Sequence, residues 1–250
     1  MLLPNSRGGY SFLKGIGPYS AGVVAARGFA IEHVRLAQAI RWKAGFELVE
    51  THLRTVGRPR QALCAMALRS PKPFSFEGFN EFNAGYVDVL KAWEIPVEGV
   101  NPVARTNVAP AVDPPDEPSL YSFAYTVTAS SAPISFVVAG AGELPEGSLD
   151  PHDVVRRGET SRNALAVKTR FVLGLMEGRL KGLGATWNDV AVTDIYTVHD
   201  LNALLAAEIL PRIGPAARHG VTWHYTRPPI VTIEYEMDLR GGTRESVIPV

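Results

Sequence analysis

Pro102-Val103-Ala104-Arg105-Thr106-Asn107-Val108 and Pro215-Ala216-Ala217-Arg218-His219-Gly220-Val221 are two stretches of the chain that share one local pattern. In each, a small residue precedes the arginine and a valine stands three positions after it. Each stretch follows residues of helical pattern and leads into residues typical of a strand. The repetition predicts one fold present twice, with an arginine at the mouth of an equivalent strand in each copy.

Arg105 and Arg218 are candidate anion-binding residues in these copies. A guanidinium group presents a planar fork of donors that matches the two oxygens of a carboxylate. A single arginine is more often a solvated surface residue, but its repetition in the same context favours a site. The sequence therefore predicts a small carboxylate metabolite as the ligand.

The charge and cysteine content exclude several classes of partner. The 250 residues include 25 Lys and Arg and 25 Asp and Glu, so no net field attracts nucleic acid or an anionic membrane. Cys64 is the single cysteine, which allows no internal disulfide and fits a reducing cytosol. Residues 1–9 lack a signal-peptide core, and no apolar run approaches the roughly 18 residues of a membrane span. A cytoplasmic protein is predicted, without nucleic-acid or membrane partners.

The first half contains alternating strand and helix patterns. Glycine and polar breakers separate apolar runs of period two from amphipathic stripes of period 3.6. The predicted elements are a hairpin of 22–25 and 29–34, a helix from Phe46 to Val56 ended by Gly57, a strand at 62–68 and a helix from Glu81 to Trp93.

A proline-rich segment lies near the middle of the chain. Val108 to Pro118 contains four prolines and three acidic residues, which neither a helix nor a central strand tolerates. We predict a linker there and two domains, 1–118 and 119–250. The alternating residues Tyr121 to Val127 predict a half-buried strand that closes the first copy and pairs into the second.

The second half repeats the order of elements. Its predicted elements are a strand at 134–139, a helix from Val167 to Leu183 ended by Gly184, a strand at 190–198, a short helix at 201–210 and strands at 221–225 and 231–237. An α+β fold with helices packed on one face of each mixed sheet satisfies this order.

Six stretches carry a family resemblance. They are Ile16-Gly17-Pro18-Tyr19-Ser20-Ala21-Gly22-Val23, Phe82-Asn83-Ala84-Gly85-Tyr86, Ala104-Arg105, Ala141-Gly142-Glu143-Leu144-Pro145, Ala217-Arg218 and Ile233-Glu234-Tyr235-Glu236. In this order they resemble the signature stretches of the Rid/YjgF family of enamine and imine deaminases, as two tandem copies. The resemblance implies two chorismate-mutase-like domains, sites in clefts between neighbouring domains, no metal and no organic cofactor. It also implies association around a three-fold axis, hence a homotrimer.

The second copy matches three family positions. Arg218 corresponds to the carboxylate-binding arginine, Gly142 to the glycine whose backbone lines the pocket, and Glu234 to the acid associated with activating water. We therefore predict the working site at these residues, in a cleft completed by a neighbouring domain.

The first copy matches a different subset. Arg105 and Tyr19 correspond to the arginine and the pocket tyrosine, and Asn83 falls on a helix position that the family often fills with asparagine. The glycine and the acid have no match here, so each copy is expected to supply what the other lacks, across an interface.

The predicted function is hydrolytic deamination of a small carboxylate-bearing enamine or imine to a carbonyl compound and ammonia. One alternative is a non-catalytic protein that binds or senses small carboxylates. A chorismate-processing enzyme and a ribonuclease are further alternatives, the last disfavoured by the neutral charge. No metal site is predicted, because His219 and His224 differ by an odd number of strand positions and face opposite sides.

Overall fold

The computed structural model describes residues 1–130 and 133–250, which form two mixed β-sheets with helices on one face of each. The strands are β1 (Leu2–Asn5), β2 (Tyr10–Leu13), β3 (Gly22–Ala25), β4 (Phe29–Arg41), β5 (Leu63–Arg69), β6 (Ala104–Pro110), β7 (Ser119–Thr128), β8 (Phe136–Gly142), β9 (Val192–Tyr196), β10 (Thr222–His224), β11 (Thr226–Arg227), β12 (Glu236–Gly241) and β13 (Arg244–Ile248). The helices are α1 (Trp42–Thr55), α2 (Phe76–Ala92), α3 (Arg162–Leu183), α4 (Asn202–Leu204) and α5 (Leu210–Ile213).

The two sheets share one internal topology. The six-stranded sheet has the order β11-β6-β5-β7-β4-β13, and the seven-stranded sheet has the order β1-β2-β3-β8-β12-β9-β10. Within them, β4-β7-β5-β6 matches β8-β12-β9-β10, with two antiparallel pairings followed by a parallel one in both. The predicted duplication is therefore present, and the predicted α+β class is confirmed.

Helices cover the outer face of each sheet, and the inner faces pack on each other. α1 and α2 bury Phe46, Val49 and Tyr86 against the six-stranded sheet, while α3 buries Val172 and other apolar residues against the seven-stranded sheet. The two sheets approach each other through a layer that contains alanines and Cys64 beside the larger residues Tyr10, Phe12, Val23 and Ile31. This close approach brings the inner faces of the two copies together.

Local signals account for most helix ends. Gly57 at φ +69° follows the end of α1, and Gly184 at φ +77° caps α3, as predicted. α2 begins five residues earlier than the prediction because the Ser75 hydroxyl accepts a hydrogen bond from the Gly78 amide at 3.0 Å. The predicted helix at 201–210 is instead α4, a π-helical turn at Leu205–Ile209 and α5.

Two predictions about strand pairing were wrong. β3 and β4 do not form a hairpin, because β3 pairs with β2 and β8 while β4 pairs with β7 and β13. β7 lies in the six-stranded sheet between β4 and β5 and does not pair with the second-half sheet.

The predicted boundary between residues 118 and 119 therefore does not divide the sheets. The sheets exchange terminal strands, since β1 to β3 extend the second-half sheet and β13 extends the first-half sheet. No helix in the described part of the chain is long and apolar enough to cross a membrane.

Candidate active site

A cavity of about 70 Å³ lies where β6 of the first copy approaches β8 of the second. Arg105 and Tyr19 line it from the amino-terminal half, and Gly142, Arg179 and Glu236 line it from the carboxy-terminal half. Neither copy encloses this cavity alone.

Arg105 is the buried cation of the cavity, with a residue exposure of 2%. Its Nη2 donates to the Asn83 Oδ1 at 2.6 Å, and its Cζ lies 4.8 Å and 4.6 Å from the ring centroids of Tyr19 and Tyr86. Its Nε and Nη1 have no hydrogen-bond partner among the described residues. Because unpaired buried donors on a charged group are costly, this guanidinium is prepared for an anionic ligand.

Glu236, the first residue of β12, is the buried acid of the cavity, with an exposure of 4%. A Cβ at position 140 would overlap its Oε1, so Gly140 leaves the room that this carboxyl group occupies. Burial raises the pKa of Glu236 well above its usual value, and the nearby Asp238 raises it further. Arg179 and Arg105 offset this only in part, so Glu236 keeps its proton to a higher pH than an ordinary glutamate does.

A buried ion pair fixes the chain just before Glu236. Glu143 and Lys168 are fully buried, and the Lys168 Nζ donates to the Glu143 Oε1 at 2.8 Å. The same carboxylate accepts the backbone amides of Glu234 at 2.7 Å and Tyr235 at 3.1 Å. The segment entering β12 is thereby held in one position.

Thr106 joins the two copies beside the cavity. Its hydroxyl donates to the Asp238 Oδ2 at 2.6 Å and accepts the Gly140 amide at 3.0 Å. The Tyr196 hydroxyl also donates to the Asp238 Oδ2, at 2.8 Å. Burial and the neighbouring Asp194 raise the pKa of Asp238 to about 6. The hydrogen bonds of Thr106 hold β6 of one sheet against β8 and β12 of the other.

Arg179 of α3 is the second arginine of the cavity, and its charge is already paired. Its Nε and Nη2 donate to the two carboxylate oxygens of Glu146 at 2.5 Å and 3.1 Å. Its Nη1 donates to the carbonyl oxygen of Ala139 at 2.8 Å. Arg105 therefore has the free donors, and Arg179 shapes the opposite wall.

Four of the six residues predicted from sequence meet in this region. Arg105, Tyr19 and Gly142 line the cavity, and Asn83 holds the Arg105 guanidinium. A Cβ at position 142 would overlap the Ile233 side chain, so the close approach of the neighbouring segment requires glycine.

Arg218 and Glu234 do not line the cavity, so the structure does not bring them together with Gly142 there as the sequence predicted. Arg218 lies exposed in the 3₁₀ turn before β10, where its Nη2 donates to the carbonyl oxygen of Asn188 at 2.9 Å. Glu234 stands before β12 begins, and its Oε2 lies 2.7 Å from the His199 Nε2. Arg105 lies within β6, whereas Arg218 lies in the turn before β10, the equivalent strand of the second copy.

Glu236 and Arg179 were missed as site residues. Glu236 belongs to the same motif stretch as Glu234 and shares its strand parity, and parity cannot decide which of the two side chains lies inside. Arg179 lies on the predicted helix face among apolar residues, which gave no sign of its contact with the carbonyl oxygen of Ala139.

The fold and this cavity define a class of enzyme. A buried guanidinium with free donors can bind a small carboxylate, and a carboxyl group with a raised pKa in the same cavity can give and take protons beside it. The class is that of enzymes performing proton-transfer chemistry on a small carboxylate substrate.

The chain belongs to the family of the 2-aminomuconate deaminase CnbZ, whose model matches residues 2–246. It is 45% identical over 246 residues to a 2-amino-5-chloromuconate deaminase of Comamonas testosteroni, covering 97% of each chain. The predicted activity, hydrolytic deamination of a carboxylate-bearing enamine to a carbonyl compound and ammonia, is confirmed by this membership.

Two solved structures are similar to this chain at low sequence identity. A chorismatase crystal structure matches with a TM-score of 0.53 at 12% identity, covering 88% of this chain and 77% of that chain. A Rid-family protein from Yersinia pestis matches with a TM-score of 0.32 at 20% identity, covering 47% of this chain and 83% of that chain. The chorismatase match supports the fold alone.

Proposed function

We propose that this chain deaminates 2-aminomuconate or a close derivative, and that Arg105 and Glu236 carry out the reaction. The observation that carries the assignment is the presence of both groups in one cavity, Arg105 with free donors and Glu236 buried beside it with a raised pKa. The substrate class follows from the names of the family and of the Comamonas relative.

Substrate binding uses the free donors of Arg105. A carboxylate accepting from Nε and Nη1 satisfies two buried donors at once. Charge-assisted hydrogen bonds of this kind contribute about 1.5–3 kcal/mol each. Tyr19 and Tyr86 contact the guanidinium through their rings and limit its movement, which fixes the orientation of the bound carboxylate.

Glu236 acts first as an acid. It gives its proton to the enamine carbon next to the amino-bearing carbon, which converts the enamine to an iminium ion. Water then adds to the iminium carbon and loses a proton to the Glu236 carboxylate. The product of this step is a carbinolamine, and Glu236 is protonated again.

Ammonia departs in a second proton cycle. Glu236 protonates the amino nitrogen, the C–N bond breaks, and the hydroxyl proton returns to Glu236 as the carbonyl forms. One enamine and one water give one carbonyl compound and one ammonia, and the enzyme is unchanged. The raised pKa of Glu236 suits both directions of transfer.

Ammonia release from defined substrates tests the proposal. We expect release from 2-aminomuconate and from its 5-chloro derivative, and slower release from a short monocarboxylate such as 2-aminoacrylate. A coupled ammonia assay with purified protein measures all three. Equal rates for all three would contradict a preference for the two muconates, which are dicarboxylates, over a monocarboxylate. No ammonia release from either muconate would contradict the proposed substrate.

A homotrimer remains our proposal for the assembly. Trp223 and Tyr225 are 40% and 55% exposed beside β10, the last strand of the seven-stranded sheet, and Val112 nearby is 73% exposed. An apolar patch beside a free strand edge favours contact with a second copy. We expect light scattering at micromolar concentration to give the mass of three chains, and a monomer mass would contradict the proposal.

A further inference from the structure

A second cavity, of about 180 Å³, lies between the inner faces of the two sheets, and Arg105 is among the lining residues that it shares with the first cavity. Its mouth is lined by Arg35, Thr222 and Glu245, which are exposed. One water takes up about 30 Å³ of liquid volume, so the cavity has room for several waters or a small organic molecule.

Arg69, the last residue of β5, is a buried cation of this cavity without an ion-pair partner among the described residues. It is 6% exposed, and its one hydrogen bond among the described residues runs from Nη1 to the carbonyl oxygen of Leu68 at 3.0 Å. Its Cζ lies 3.9 Å from the ring centroid of Tyr121 and 5.7 Å from that of Tyr196. Cation–π contact stabilises a guanidinium but does not neutralise its charge.

The acids of the cavity are engaged elsewhere. Asp194 lies 3.0 Å from the His224 Nε2 and 2.6 Å from the Arg240 Nη1. Glu245 lies 2.6 Å from the Arg240 Nε. The remaining acid, Asp238, accepts hydrogen bonds from the hydroxyl groups of Thr106 and Tyr196. None of these three lining carboxylates is left to pair with Arg69.

The walls identify the kind of anion. Alanine side chains of both sheets line the cavity together with Tyr121, Tyr196 and Phe123. Such walls favour an anion with an apolar, unsaturated body over a hydrated inorganic ion. We propose that this cavity binds a second small organic carboxylate, held by Arg69 between Tyr121 and Tyr196.

Calorimetric titration with muconate, which has the carbon skeleton of the proposed substrate without the amino group, tests the inference. We expect two binding events per chain in the unchanged protein and one in Arg69→Gln. Arg54→Gln makes the same charge change on the exposed face of α1 and should keep both. Arg105→Met should lose the other event, so failure of the proposed active site is distinguishable from failure of this site.

A single binding event in the unchanged protein that survives Arg69→Gln would overturn the inference, as would two events in Arg69→Gln. If Arg69→Gln does not fold, a crystal of the unchanged protein soaked with muconate decides. A carboxylate within hydrogen-bond distance of the Arg69 guanidinium supports the site, and water alone at that position overturns it.

Discussion

Arg105→Met should reduce kcat/KM for 2-aminomuconate by about 30- to 4,000-fold. Losing one partner of a sheltered charge pair costs about 2–5 kcal/mol, and each 1.4 kcal/mol is tenfold. Methionine keeps an unbranched apolar stem against Tyr19 and Tyr86, so the loss reports the guanidinium. Arg105→Lys should recover little, because a single ammonium cannot reproduce the two-donor fork. Steady-state kinetics by ammonia release measures both variants.

Arg218→Met is the matched control, because it removes the equivalent arginine of the second copy. Arg218 is exposed, with its Nη2 on the carbonyl oxygen of Asn188. We expect kcat/KM within about threefold of the unchanged enzyme, in line with the small cost of most surface substitutions. A large loss in Arg218→Met with an active Arg105→Met would place the reaction in the second copy.

Glu236→Gln should reduce kcat by about 10²- to 10⁴-fold and change KM little. The amide keeps the shape of the side chain but cannot pass a proton to the enamine or take one from water, and a positioned acid or base contributes an effect of this size. Carboxylate binding depends on Arg105, which the change leaves in place. Single-turnover measurements separate the chemical step from binding.

The pH dependence gives a second signature of Glu236. Because its pKa is raised, the carboxyl group is protonated below that pKa and loses its proton as pH rises through it. We therefore expect kcat to fall on the alkaline side, and Glu236→Gln to lack that limb.

Glu234→Gln is the matched control for the acid. It makes the same chemical change two residues away, on a carboxylate that pairs with His199 outside the cavity. We expect kcat within about threefold of the unchanged enzyme and the alkaline limb retained. Loss of activity in Glu234→Gln with a normal Glu236→Gln would reverse the assignment of the acid.

Much of the fold follows from local sequence signals. The duplicated arginine pattern predicted the repeated topology, and the apolar stripes with Gly57 and Gly184 located α1 and α3. These signals operate within one turn or one strand, where periodicity and glycine conformation decide the structure.

Strand partners were less predictable, because pairing joins distant parts of the chain. Short spacing between β3 and β4 suggested a hairpin, but β3 pairs with β8 and β4 with β7. Likewise, β13 adds to β4 from the other end of the chain. The alternation of side chains shows that a strand has two faces, and it does not identify its neighbour.

Only part of the proposed site could be predicted from sequence, because some of its residues are positioned by distant parts of the chain. Tyr19, Arg105 and Gly142 were identified through the resemblance of local motif stretches to those of the Rid/YjgF family. Glu234, the acid predicted from sequence, lies outside the cavity because the strand begins only at Glu236, after a segment whose amides are bound by Glu143. Glu143, whose carboxylate accepts these amides, lies far from them in sequence.

The central claim is that one site, built from both copies, uses Arg105 and Glu236. Its most direct test is the rate of ammonia release from 2-aminomuconate by Arg105→Met, Glu236→Gln, Arg218→Met and Glu234→Gln, measured side by side on folded protein. We predict that the first two lose at least about 30-fold while the last two stay close to the unchanged enzyme. Normal release by Arg105→Met and Glu236→Gln, with loss in Arg218→Met and Glu234→Gln, would contradict the claim.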